Sequence, residues 1–173
     1  MALFRERGYA RTTVGEIAAR AGLTERTFFR YFSDKREVLF SGAPMLEALI
    51  VEGVASAPAK SAPLEAVVAG LLATAPMFAE RRSFARRRRR LIAAHAELEE
   101  RELIKLASLA AAVAASLRKR GVADPTAGLI AETGIAIFKN AFERWVNDDE
   151  QRDLAEHVRA TLRELKGAAS TKR

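Results

Sequence analysis

Through almost all of this chain apolar side chains recur every three or four positions, and the strict alternation of a half-buried strand is missing. Ala, Leu, Glu and Arg, all good helix formers, dominate the same stretches. The fold class this dictates is all-α. Without strands there is no strand-to-helix turn on which a glycine-rich phosphate loop could be built. Apolar residues make up 49% and charged residues 29% of 173 positions, enough carbon to bury a core and too much for whole-chain disorder. No apolar run approaches the roughly 20 residues of a membrane span, and no charged-then-apolar leader opens the chain. A cytoplasmic protein with no membrane partner is therefore expected. Cysteine is absent, which excludes disulfides, thiolate zinc sites and cysteine nucleophiles.

Helix start and stop signals punctuate the pattern. Thr13, with Glu16 three residues on, forms a capping box. The helix it opens carries Val14, Ile17, Ala18 and Ala21 on one face, and Gly22 stops it. Thr24 opens a short helix, Glu25 to about Tyr31, with Phe28 and Phe32 facing inward. Ser33 is expected to cap a third helix through Leu39, and Gly42 and Pro44 to interrupt it before 45–54. The Pro/Ala/Ser stretch 55–63 reads as a linker. The expected division is thus 1–54, that linker, a back portion 64–167 and a polar tail 168–173. Five helices are expected in the back portion: 64–80 kinked at Pro76, 83–95 capped by Ser83, 97–120, one from Asp124-Pro125 to Asn147, and a last opening at Asp149.

A helix, a glycine-containing turn and a short helix make a helix-turn-helix. Ile17, Ala18, Leu23 and Phe28 would lock the two helices at a steep angle. The outer face of the second, with Arg26, Thr27, Phe29, Arg30 and Tyr31, would then fit a major groove about 12 Å wide. Periodicity alone leaves a compact three-helix unit without a DNA role equally open.

The wording of the residues carries the argument further. Gly-Tyr at 8–9, Thr-Thr-Val at 12–14, Ile-Ala at 17–18, Ala-Gly at 21–22, Thr-Phe-Phe-Arg-Tyr-Phe at 27–32 and Asp-Lys at 34–35 follow one family's order and spacing. Residues 4–40 resemble the DNA-binding domain of the TetR family of bacterial transcriptional regulators. The resemblance implies base contacts from Arg26, Thr27, Phe29 and Arg30, and phosphate contacts from Thr13, Thr24, Tyr31 and Lys35. Phe29 stands where the family usually has tyrosine, so apolar contact replaces a phosphate hydrogen bond. Family members also carry a longer first helix preceded by a basic arm. Here that helix could span only 2–7, under two turns, short enough to need tertiary support. The true start is accordingly expected upstream of Met1.

Lys plus Arg number 29 against 22 acids, a net charge of +7. Residues 81–90 hold seven arginines, however, and without them the balance is 22 against 22. The positive charge belongs to one segment. Arg86 to Arg90 sweep more than a full helical turn, so they cannot all face water if that helix packs. Phe84, Leu91 and His95 define its inner face, which makes Arg88 the candidate inward guanidinium, directed at an anionic ligand or at Glu97, Glu99 or Glu100. An apolar pocket is expected where the Pro76 kink, this helix and the Pro125 helix meet, lined by Phe78, Phe84, Arg88, Leu91, His95, Phe138 and Phe142.

The Pro125 helix is apolar nearly all round and must be covered on two sides. Ile130, Ile137 and Trp145, with Leu154, Val158 and Leu162 of the last helix, are expected to pair two subunits. Burial at the centre of one subunit is the other reading. The segment from Arg90-Leu91-Ile92 through Leu98 and Arg101, with Arg120-Gly121 and Trp145, is similar to ligand domains of TetR relatives linked to acyl-CoA-type or mycofactocin-associated effectors.

Only two histidines are present, far apart and without a carboxylate cluster of ligand spacing, so no enzyme, metal or cofactor is expected. The function expected is a ligand-responsive regulator, a repressor by family habit. It would bind a palindromic double-stranded operator as a homodimer and be released by an apolar small-molecule effector able to carry an anionic group. The alternative is a helical ligand-binding or adaptor protein whose DNA-binding part is weakened by the short first helix.

Overall fold

The computed structural model describes residues 2–150 and 152–170, and among them the chain is helical with no strand. Three short helices, α1 (Ala2–Arg7), α2 (Val14–Arg20) and α3 (Glu25–Tyr31), and a 3-10 turn, Lys35–Phe40, form the front. The back comprises α4 (Ala43–Ser56), α5 (Pro63–Ala73), α6 (Ala75–Phe78), α7 (Arg82–Ala93), α8 (Ala96–Lys119), α9 (Thr126–Asn147) and α10 (Leu154–Ala169). The Thr13–Glu16 capping box and the Thr24 cap form as the sequence requires.

Several boundaries move for identifiable reasons. Asp34, not Ser33, caps the third segment: its carboxylate accepts from the N–H groups of Arg36 and Glu37, and the turn it opens is 3-10. The expected helix 64–80 breaks at Thr74, whose buried hydroxyl donates to the Leu71 carbonyl at 2.7 Å, and Pro76 sits in the first turn of α6. Ser83 lies inside α7 and does not cap it, and His95 is the N-cap residue of α8. Pro125 immediately precedes α9 rather than opening it, while Asp124 pairs with Arg118 at 2.6 Å. The last helix starts at Leu154, under a capping box of Asp153 and Glu156. It cannot start at Asp149, because the Asp148 carboxylate accepts from the N–H groups of Glu150 and Arg152 and holds that stretch as a loop. Of the expected tail, Ala168 and Ala169 continue α10, and 171–173 lie outside the described residues.

Two cores result. The larger joins α4, α5, α8, α9 and α10 around Ile50, Val54, Val67, Leu71, Val113, Leu117, Trp145 and Val158. There α4 crosses α5 at two glycines: a Cβ on Gly70 would lie 2.4 Å from the Ile50 carbonyl oxygen, closer than backbone tolerates. The smaller core gathers Phe4, Tyr9, Leu39 and Phe40 of the front against Ile92 of α7 and Leu98 of α8. Because α4 packs into the larger core, the 55–63 stretch turns the chain between two contacting helices rather than spacing two bodies.

The segment Lys35–Ser56 is longer and more apolar than the sequence expectation allowed, with a mean hydropathy of 1.6 over its most apolar window. It is nonetheless divided between a 3-10 turn and the 14-residue α4. At about 1.5 Å per residue that helix reaches roughly 21 Å, short of a bilayer core of about 30 Å. Within the segment, Leu39 and Phe40 join the smaller core, and Ile50 and Val54 the larger.

The pairing face expected on the last two helices is also repositioned. Ile137, Trp145, Leu154 and Val158 are buried within the single chain, and Ile130 and Leu162 pack partly buried against the same core. The second side of α9 is covered by α5 and α10, with Leu154 and Val158 of α10 buried against it.

Candidate nucleic-acid interface

The geometry of the front starts at the turn after α2. Gly22 adopts φ +70°, a left-handed conformation that suits glycine, and lets the N–H groups of Leu23 and Gly22 donate back to Ala18 (2.9 Å) and Ala19 (3.0 Å). The chain thereby reverses into α3 within four residues. The Thr24 hydroxyl accepts from the Thr27 N–H at 3.2 Å, and the two threonine hydroxyls lie 3.0 Å apart. Phe28 is buried, with Phe29 edge-on at 5.5 Å and Phe32 at 5.2 Å.

Burying that side fixes what α3 shows to water. Arg26, Phe29 and Arg30, spaced i, i+3, i+4, stand on its outer face, and Phe29 remains 53% exposed. Thr27 is half-buried beside Thr24. Tyr31 is 65% exposed, with the Arg30 guanidinium over its ring at 4.9 Å and donating to its hydroxyl at 3.1 Å. Thr13 is exposed, its hydroxyl accepting from the Glu16 N–H at 3.2 Å and keeping its own proton to donate. Lys35 departs from the sequence expectation. Its ammonium donates to the carbonyls of Tyr9 (3.0 Å), Ala10 (3.2 Å) and Thr12 (3.2 Å), which takes all three of its protons and closes the loop between α1 and α2.

Ion pairs brace this platform. Arg20 grips Glu6 through two contacts of 3.2 Å, and Arg7 pairs with Glu16. The Arg20 guanidinium holds the Glu6 carboxyl below its ordinary range, and the Thr13 N–H does the same for Glu16.

The junction with the back is more buried. Glu37 accepts from Arg101 at 2.5 Å and Lys105 at 2.9 Å, its side chain only 14% exposed. Burial pushes its carboxyl up, but the two cations outweigh burial and the net shift is downward. Arg88 does turn inward. Its Nε donates to the Leu39 carbonyl at 2.7 Å, its guanidinium covers the Phe40 ring at 4.9 Å, and its carboxylate partner, at 3.1 Å, is Glu102 rather than Glu97, Glu99 or Glu100. Burial draws the guanidinium pKa down and Glu102 opposes it. The Tyr9 ring meets His95 at 4.9 Å, tilted by 47°, and burial, with the Glu97 carboxylate beside it, pushes its phenol up to about 12.

The rest of the arginine run has a use the sequence did not reveal. Arg82 donates to the carbonyls of Asp148 (2.8 Å) and Arg152, Arg86 to Val146 (2.5 Å), and Arg89 pairs with Glu143 at 2.9 Å. The spacing i, i+4, i+7 puts the three on one face of α7, where Arg82 and Arg86 satisfy backbone carbonyls at the C-terminal end of α9 and Arg89 holds a side chain of its last turns. That spacing was legible in the sequence; the partners, roughly sixty residues away, were not. Asp148 beside them is buried and held below the ordinary carboxylate range by Arg152 and His157.

The expected pocket residues do not converge. Phe78, Phe138 and Phe142 meet Trp145 in one aromatic cluster with ring centroids 5.4 to 6.5 Å apart, filling the kink. Phe84 is 42% exposed, while Leu91 and His95 lie with the front core. Phe84 turns outward because Ala85 takes the buried position on that helix.

Known proteins share this layout. The family model for bacterial regulatory proteins of the tetR family matches residues 1–41, and that for the MftR C-terminal domain matches residues 61–169. The HTH-type transcriptional regulator TcmR of Streptomyces glaucescens is 35% identical over 65 residues, 38% of this chain. The chain spans only 29% of the length of that curated relative. FadR of Thermus thermophilus, a TetR-family transcriptional repressor solved with lauroyl-CoA, is 25% identical with a TM-score of 0.56, over 100% of this chain and 92% of that one.

Proposed function

The chain belongs to the TetR family of bacterial regulatory proteins, and from that premise we propose a ligand-responsive transcriptional repressor that binds a palindromic operator as a homodimer. The observation that carries the reading is the outer face of α3. A half-exposed phenylalanine stands between two guanidinium groups on a helix whose opposite face is buried. Arginine reads guanine edges bidentately and a phenyl ring meets a thymine methyl, so Arg26, Phe29 and Arg30 suit a major groove. Thr13, Thr24 and Tyr31 suit the flanking phosphates.

Pairing is assigned to the outward side of α9, where Leu129 is 68% exposed and Ala136 follows it two turns on. This surface replaces the inward residues of the sequence expectation. The effector is taken as apolar with an anionic group, a reading supported by lauroyl-CoA in FadR of Thermus thermophilus. Its binding shifts the separation of the two recognition helices, and operator affinity falls.

The test is fluorescence anisotropy of the chain on the DNA upstream of its own gene, beside a scrambled duplex, across a salt series. Sequence-dependent binding with a steep salt slope is expected. The double replacement Arg26→Ala/Arg30→Ala should weaken it at least tenfold, as two lost contacts of about 1 kcal/mol or more imply, with oligomeric state unchanged. Equal, weak binding to both duplexes would favour the helical adaptor instead.

A further inference from the structure

The front and back cores leave an open groove of about 500 Å³ between α1 and α7. Its floor is apolar, formed by Ala2, Phe4, Leu91 and Ala94, and its remaining lining is Arg5, Arg87 and Arg90. No lining residue is acidic, and none of the three arginines is in an ion pair among the described residues. This separates them from Arg82, Arg86, Arg88 and Arg89, which are all engaged with oxygen acceptors. On α7 and its C-cap residue Ala94, positions 87, 90, 91 and 94 share one face by their spacing, and on α1 so do positions 2 and 5. Two helix edges thus present guanidinium groups above a carbon surface. The volume falls within the roughly 300–1,000 Å³ of small-molecule sites.

We infer that this groove binds a small amphiphilic anion, an apolar tail bearing a phosphate or carboxylate head. The tail covers the Phe4–Leu91–Ala94 floor, and the head accepts charge-assisted bonds from Arg87 and Arg90, with Arg5 closing from the opposite wall. A bare anion lacks the contact with the floor, and a neutral tail leaves three like charges unopposed.

The two walls belong to different parts of the molecule. α1 is tied to α2 by the Glu6–Arg20 and Arg7–Glu16 pairs. α7 is fixed to the end of α9 by Arg82, Arg86 and Arg89. A ligand that bridges the walls therefore sets how the recognition helix stands on the back core. That consequence rests on the repressor reading; the binding itself does not.

Calorimetry on the free chain tests the site. Decyl phosphate, below its micelle concentration, should bind once per chain. Inorganic phosphate and decyl maltoside should each bind at least a hundredfold more weakly. Arg87→Gln/Arg90→Gln removes head contacts and should weaken decyl phosphate at least tenfold. Ala94→Trp fills the groove from an exposed position without touching charge and should abolish binding. In anisotropy, decyl phosphate should change operator affinity for the wild type and not for Ala94→Trp.

The proposal is overturned if both variants bind decyl phosphate as the wild type does, which would put the ligand elsewhere. It is also overturned if inorganic phosphate binds equally well, which would leave only a basic patch for ions. Loss of self-association in Ala94→Trp without any decyl phosphate binding would instead make the groove a contact between two copies. If no operator is bound, calorimetry still decides the site, so the two readings fail separately.

Discussion

The front and back of this molecule are held by different chemistry. The back packs carbon on carbon, with α4 and α5 in contact at glycines and Val67, Leu71, Val113 and Val158 fully buried. The front has a core of a few aromatic and aliphatic residues, and much of its closure comes from cations on oxygens: Lys35 on three carbonyls, Arg20 on Glu6, Arg88 on Leu39 and Glu102. Apolar burial is non-directional and carries no titrating or screened charge. Ion pairs are directional and respond to salt and acid. The part that must meet DNA is therefore the part whose geometry can be adjusted at modest free energy, mounted on a part that cannot.

The strongest test of the contrast is a cavity in the back. Leu71→Ala should lower the unfolding free energy by about 3–4 kcal/mol, because α5 is held on both flanks and cannot collapse into the space; urea denaturation measures it. Next comes the junction. Arg88→Ala leaves Glu102 and the Leu39 carbonyl without their partner and should lose about 3 kcal/mol, with hydrogen exchange rising first in the 3-10 turn and α3. Faster exchange throughout α8 and α9 instead would break the division drawn here.

Glu37→Gln should lose about 1–2 kcal/mol at neutral pH through its two charged partners. The native carboxyl lies below its ordinary value of 4.5, so its contribution is complete above that pH and is lost as pH falls through the lowered native value. The variant should accordingly show a flatter acid limb when melting temperature is followed from pH 6 downward. The smallest effect is expected from Arg20→Gln, whose exposed pair should matter measurably only at low salt. Melting curves of wild type and variant at 20 mM and 500 mM NaCl, salt levels about 17 Å apart in Debye length, would display it as a difference that vanishes.

Local structure was legible where the sequence states it locally. The Thr13–Glu16 box, Gly22, the Thr24 cap and the inward Phe28 each depend on neighbours within a few residues, and all formed as read. The outward set of Arg26, Phe29 and Arg30 followed from the same periodicity. Misreadings occurred at some local caps, where Asp34 replaced Ser33 and Asp153 replaced Asp149, and more widely where a residue's partner is distant. Lys35 looked free until the carbonyls of Tyr9, Ala10 and Thr12 were brought to it. Phe84, Leu91 and His95 looked like one wall, yet tertiary packing sent them to solvent and to the front core.

Hydrogen-bond caps and a 3.6-residue period act within one element, so the helical class, the starts and turns of the short front helices and the wet face of α3 follow from residue order alone. Which helix covers α9, and hence that Leu154 and Val158 are interior, was settled by packing between helices, because a stripe of leucines fits any apolar surface of matching length. That packing also decided how six of the seven arginines in 81–90 are divided between helix end, front core and groove. A guanidinium's use depends on the oxygens that surround it, and those come from other helices.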